Sequence, residues 1–290
     1  MLLRIVSIVF PIFIIVLAGY VYGRKHKPEM IAANRMNMEV FLPALIFSAL
    51  AGKSFDLAQN VAVAVGAAVV VLGSGLLAWP LAQALGFNPK TLVPPVMFNN
   101  AGNMGLPVIL LAFGEQALSA ALVLMLVETL LQFALHPWLM SRKMRLGALW
   151  RQPVFVAATL GIIVTLSGFT IPPPIMTASK ILGDISIGLM IFSLGVRLSS
   201  ASVGAWRIAI VGAILTPLTG MAVAWIYGPV GGLTALEQDI LVVFGALPPA
   251  VVNFIFAERF HQEPDKVASI VMIGNASALL FVSLALAMRL

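Results

Sequence analysis

Cysteine is absent from all 290 residues, which excludes disulfides, thiolate nucleophiles and Cys-ligated metal sites. Charge is scarce as well. Asp, Glu, Lys and Arg make up 10% of the chain, against about 25% in a soluble domain, so there is too little polar surface to cover the molecule in water. The three histidines, His26, His136 and His261, stand far from metal-ligand spacing and are expected near helix ends as interfacial residues. No grouping of acids, bases and nucleophiles suggests catalysis, so neither an enzyme nor a metal or other cofactor is expected. Short alternating segments of the kind that build transmembrane barrels are missing too.

What fills the chain instead is apolar. Hydrophobic residues reach 61% and the mean hydropathy is +1.05. Runs of roughly 18–25 apolar residues recur from end to end, each long enough for a bilayer core of about 30 Å. Gly, Pro and charge divide them into ten segments: 5–23, 31–50, 59–80, 92–113, 117–140, 152–168, 176–197, 206–228, 238–257 and 266–288. The first is long for a signal-peptide core and ends in "YGRKHK" with no small-residue cleavage site, so it is expected to be a retained helix. The fold class is therefore an all-α polytopic membrane protein. The net charge of +6 is read as basic loops rather than a nucleic-acid surface. With both termini outside, 13 of the 17 Lys and Arg fall on the inner side, as the positive-inside rule requires. An inner cell membrane, crossed many times, is the expected location, with lipid as the surrounding partner.

The chain also repeats itself. Laying "NRMNMEVFLPALIFSAL" (34–50) over "SKILGDISIGLMIFSLG" (179–195) matches Arg35 with Lys180, Glu39 with Asp184 and "IFS" with "IFS" at a constant offset of 145. Nearby segments agree with small slips: Trp79 with Trp225, Leu106-Pro107 with Leu247-Pro248, and Glu128 with Asn275. Residues 1–140 then form one five-helix repeat, 141–151 a basic cytoplasmic linker, and 152–290 a second repeat. Five is odd, so the second half enters the membrane from the opposite side, an inverted repeat of the kind many secondary transporters use.

The fourth and ninth segments are unusually polar. "PPVMFNNAGNMGLPVILL" (94–111) carries three asparagines, two glycines and three prolines, and its repeat partner is "VVFGALPPAVVNFIFAERF" (242–260). Pro107 in one, and Pro248 and Pro249 in the other, remove helix donors, while Gly102 and Gly105 favour an unwound turn. Two broken helices are expected to meet near the midplane. Their exposed N-terminal N–H groups suit an anion, and their carbonyls suit a cation or a proton-linked network. Asn99, Asn100, Asn103 and Asn253 are the candidate substrate-binding residues. No cationic residue stands at either break in the sequence, so anion binding is expected to rest on dipoles and amides.

"FLPALIFSAL", "NNAGNMGLPV" and "ALPPAVVNFIFAERF" resemble the auxin efflux carrier family, in particular its compact bacterial members without the long central loop of the plant carriers. The resemblance spans the whole chain. It implies a fold related to bile acid/sodium symporters, with helices 1, 2, 6 and 7 as scaffold and helices 3–5 and 8–10 as a transport domain moving as an elevator. It also implies a homodimer, a crossover built from Asn103, Pro107, Pro248, Pro249 and Asn253, and carboxylate substrates such as malate, malonate or indole acetate.

Two further constellations complete the reading. Glu128 lies well inside its helix and, with Asn275, is the candidate for coupling to a proton or sodium ion. Glu39 follows Arg35, and Asp184 follows Lys180, by four positions, so each pair is expected to form an ion pair on one scaffold helix face. The function expected is gradient-driven transport of small organic anions. The alternatives are a sodium-coupled carrier of another substrate, a channel, and a ligand-binding sensor that does not transport. A channel is the weaker fit, since filters are generally assembled from several subunits.

Overall fold

A computed structural model describes residues 2–52, 57–141, 152–199 and 204–289. Nearly all of the basic linker read from the sequence, 142–151, lies outside the described residues. Those described residues are helical, with no strand. The first half runs α1 (Leu2–His26), α2 (Ile31–Met36), a π turn (Asn37–Phe41), α3 (Leu42–Leu50), α4 (Leu57–Ala84) and α5 (Pro89–Met97). A second π turn (Ala101–Gly105), α6 (Leu106–Phe113), a 3-10 turn (Glu115–Ala117) and α7 (Leu118–Ser141) complete it. The second half comprises α8 (Pro153–Ser167), α9 (Pro173–Ser199), α10 (Trp206–Tyr227), α11 (Ala235–Gly245), α12 (Val252–Arg259) and α13 (Pro264–Arg289).

Five runs, Asn60–Ala84, Glu115–Ser141, Pro173–Ser199, Trp206–Tyr227 and Pro264–Arg289, are long and apolar enough to cross a bilayer. Their outward faces carry large apolar side chains, such as Leu76, Ile226 and Leu280, at 76%, 75% and 68% exposed. Lipid, not water, is the solvent for such a face. The chain is an all-helical, multi-pass membrane protein.

Both π turns stand just before a helix with proline at its second residue, Pro43 in α3 and Pro107 in α6. Proline cannot donate to the carbonyl four residues back and its ring crowds that carbonyl. Widening the preceding turn relieves the crowding without ending the helical path.

The helices pack in two groups. α1 lies along α9, and α3 lies against α8 and α9. α10 contacts α4, α5, α11 and α13, and α4 contacts α5 and α7. The α1–α9 contact depends on glycine. A Cβ on Gly195 would stand 2.0 Å from the Val16 carbonyl oxygen, and one on Gly19 would stand 2.2 Å from that of Phe192. Small residues of this kind let membrane helices approach backbone to backbone, where dispersion replaces the hydrophobic drive.

Candidate functional site

Two stretches of chain leave the helical path where the halves meet. Phe98 adopts an extended conformation after α5, and residues 246–251 link α11 to α12. They run antiparallel and bridge at Asn99 and Pro249. The Asn100 amide donates to the Pro248 carbonyl at 2.7 Å, and the Ala250 amide donates to the Phe98 carbonyl at 2.9 Å. Each stretch thus supplies the partners that the other lost on leaving its helix. In an apolar medium those groups have no water to turn to.

Side-chain amides complete the satisfaction. Asn99 Nδ2 donates to the Phe244 carbonyl at 2.8 Å, near the end of α11. Asn253 Nδ2 donates to the Phe98 and Ala250 carbonyls, both at 2.9 Å. Its Oδ1 accepts from Gln132 Nε2 at 3.2 Å. Asn100 Nδ2 donates to Asn275 Oδ1 at 3.0 Å, and Asn275 Nδ2 donates to the Pro249 carbonyl at 3.0 Å and the Val271 carbonyl at 2.7 Å. All five of these residues, Asn99, Asn100, Gln132, Asn253 and Asn275, are buried. A polar residue of α7 or α13 therefore holds the asparagine of each extended stretch or of the helix that follows it. Gly274, one residue before Asn275, leaves room for the chain: a Cβ there would lie 2.5 Å from Pro249 Cδ.

The structure sorts the candidates unevenly. Asn99, Asn100, Asn253, Pro248 and Pro249 come together, with Asn275 joined to them. Gly102 is half-buried in the π turn, and Gly105 packs under Leu247. Pro107 is not the point of interruption that its position suggested. It sits inside the unbroken helical run Ala101–Phe113, directly after the π turn, and the extended residue after α5 lies upstream at Phe98. Asn103 is half-buried and, unlike the other three asparagines, faces a cavity of about 350 Å³. Glu128 is 3% exposed with no hydrogen-bond partner on Oε1, and Asn275 spends its bonds elsewhere, on Asn100, Pro249 and Val271.

The ion-pair expectation divides as well. Arg35 and Glu39 approach to 3.3 Å while staying 75% and 56% exposed. Lys180 and Asp184, both exposed, form no ion pair, and in either case an exposed pair contributes little. Lys180 instead lines a second cavity of about 840 Å³, with Thr165 and Glu115.

His136 requires a larger correction. It is 1% exposed, not interfacial. Its ring stacks on Phe98 (centroids 5.6 Å apart) and on Phe256 (4.4 Å), so it packs against the extended stretch itself. Gln132 was not anticipated, although it lies one turn beyond Glu128 and so on the same helix face. Nor was the presence of Arg197 and Arg259 in the wall of the cavity that Asn103 faces. In sequence, each looked like an ordinary basic residue at a helix end.

The family model described as "Membrane transport protein" matches residues 4–146 and 135–286. The chain belongs to this family of membrane transporters. It is 24% identical over 299 aligned positions to an uncharacterized transporter of Methanocaldococcus jannaschii, covering 96% of both chains. It is 28% identical over 162 positions to the probable auxin efflux carrier component 1b of Oryza sativa subsp. japonica. Against auxin efflux carrier component 6 of Arabidopsis thaliana it is 28% identical over 176 positions. These alignments take in 50% and 56% of this chain but only 28% of either plant carrier. The full-length archaeal match and the partial plant matches identify a compact, prokaryotic-type member of the auxin efflux carrier group.

Proposed function

We propose that this transporter is a secondary active carrier of small organic anions, working by alternating access around the junction of Phe98–Asn100 with residues 246–251. The observation that carries the reading is the antiparallel pairing of two extended stretches deep in an apolar protein, beside a cavity faced by Asn103 and the N-terminus of α12. A helix N-terminus carries about +0.5 of an elementary charge and free N–H groups, which favours an anion. The plant relatives' names point to auxin, a carboxylate, which fits such a site.

On this reading α5 and α6 are the halves of a broken fourth span, and α11 and α12 those of a broken ninth, among ten spans in two inverted repeats. The matching roles of Gln132 on Asn253 and of Asn275 on Asn100 support the equivalence. α1, α2–α3, α8 and α9 serve as scaffold, and the remaining helices move against them as an elevator. The separate packing of the two groups favours this division. The two cavities lie toward opposite ends of α9, one beside Lys180 and the other beside Arg197, as access from alternating sides requires. Glu128, with an unpartnered carboxylate oxygen, is the candidate for coupling to a proton or a sodium ion. The working form is a homodimer in the inner cell membrane, with both termini outside.

Uptake of labelled malate, malonate and indole acetate into liposomes tests the reading, with proton and sodium gradients imposed separately. Saturable uptake that needs one gradient and fails in Asn103→Ala is the expected result. Folded protein that moves none of these acids under either gradient would overturn it.

A further inference from the structure

Away from the junction, one face of each of three helices turns toward a common groove of about 470 Å³. Leu72, Gly75, Leu76 and Trp79 stand at i, i+3, i+4 and i+7 on α4. Lys90, Val93 and Met97 share a face of α5, and Leu135, Trp138 and Leu139 share one of α7. α4 packs on both of the other helices. Seven helical residues rise about 10 Å, so the groove is an apolar slot about that long, within the usual size of a ligand pocket.

Its two ends differ. Lys90 is the second residue of α5, and its Nζ donates to the Met140 carbonyl at 3.5 Å. Trp138 lies two residues before Met140. Trp79 lies five residues before the end of α4, where 85–88 lead the chain into α5. Both indoles, each 37% exposed, therefore stand at the ammonium's end. The far end is hydrocarbon and thioether: a Cβ on Gly75 would lie 3.1 Å from Met97 Sδ and Cε, and Leu72 and Leu135 lie beside them.

Among the described residues, Lys90 is the single charge in the lining. An ammonium has three donors, and Met140 takes one. Glu263, which accepts from the neighbouring Thr91, is itself paired with Lys266. A cation and two tryptophans at one end of a lipid-facing slot match the level of the headgroups, where tryptophan collects.

We propose that this groove holds one acyl chain of an anionic phospholipid, with the headgroup phosphate on Lys90 and the tail running between α4, α5 and α7 toward Met97. The apolar length takes hydrocarbon of any lipid, and the ammonium at the mouth selects for net negative charge. One lysine near a membrane surface gives a preference of about fivefold. Met97 directly precedes Phe98, so the bound lipid braces the helix that leads into the extended stretch.

The test follows tryptophan fluorescence of the purified protein in neutral micelles, titrated with phosphatidylglycerol or phosphatidylcholine brominated in the same acyl chain. In the wild type, saturable quenching by phosphatidylglycerol is half-complete at about a fifth of the mole fraction that phosphatidylcholine needs. Lys90→Gln makes the two lipids equal, whereas Lys25→Gln, a charge lost at the end of α1, keeps the preference. Replacing Trp79 and Trp138 by phenylalanine removes the saturable component; if that double variant does not fold, Trp138→Phe alone removes part of it. Equal quenching by the two lipids in the wild type would assign the groove to bulk lipid. Quenching that disappears as protein concentration rises would assign it to a second copy of the chain. Either result would overturn the proposal, as would a preference that survives Lys90→Gln or the loss of both tryptophans.

Discussion

Replacing Asn253 by alanine removes three hydrogen bonds at once. Nδ2 no longer reaches the Phe98 and Ala250 carbonyls, and Gln132 loses its acceptor. Hydrogen bonds between membrane helices average about 0.6 kcal/mol and reach about 1.7 kcal/mol, so the expected loss is about 2 kcal/mol, with a ceiling near 5 kcal/mol. Asn253 is fully buried, and water does not replace what is lost. Asn253→Asp isolates the donors: it keeps an acceptor for Gln132 but turns carboxylate oxygens toward two carbonyls, and it should cost at least as much as alanine. Asn100→Ala removes only the side-chain bond to Asn275, so it should cost less than half as much. The assay is reversible unfolding in mixed micelles, with a double-mutant cycle adding Gln132→Ala to isolate the Gln132–Asn253 coupling. A loss below about 0.5 kcal/mol for Asn253→Ala, or equal losses for Asn253→Ala and Asn100→Ala, would refute the view that these amides hold the two stretches together.

Gly274→Ala drives a Cβ to 2.5 Å from Pro249 Cδ, and overpacking of this kind typically costs about 1–3 kcal/mol; the same unfolding assay checks it, and uptake should fall with stability if the extended stretch is displaced. Glu128→Gln should leave uptake no longer dependent on whichever gradient drives the wild type, measured as the ratio of uptake with and without that gradient. Glu263, in the turn before α13, bonds Lys266 and accepts from Thr91 Oγ1 at 2.5 Å. Partial burial pushes its carboxyl up, but the bonds from Lys266 and Thr91 and the Lys266 charge outweigh it and hold the group below the usual carboxylate range. Its ionised form is thus favoured by folding, so its stabilisation is complete above the ordinary glutamate pKa of 4.5 and is lost as pH falls through the lower folded value. Unfolding midpoints of the wild type and Glu263→Gln should converge as pH falls below the ordinary glutamate value of 4.5 and on through the lower folded one.

The extended stretches show why a polar segment can persist in an apolar protein. Pro248 and Pro249 lack N–H groups, which leaves fewer donors to satisfy, and because the chain has left the helix between α11 and α12 their own carbonyls have no helical partners. The Asn100 amide takes the Pro248 carbonyl and Asn275 Nδ2 takes that of Pro249. His136 and Phe256 then cover Phe98 with flat rings. The result is a polar junction sealed on one side and open to a cavity on the other, at Asn103.

The membrane class was determined by the sequence alone, because the scarcity of charge and the length of the apolar runs leave a chain of this kind no soluble solution. The polarity of 94–111 and 242–260 was equally legible, since asparagine and proline within such runs demand hydrogen-bond partners. Which partners they find was decided only by tertiary structure. Gln132 and Glu128 lie one turn apart on α7, and nothing in their spacing tells which meets Asn253. His136 reads as interfacial until the chain folds Phe98 and Phe256 onto it. Arg197 and Arg259 stand 62 positions apart and read as unrelated loop charges, yet the fold sets both in the lining of one cavity. Periodicity and composition report what each segment must bury; they carry no information on which distant segment will lie against it.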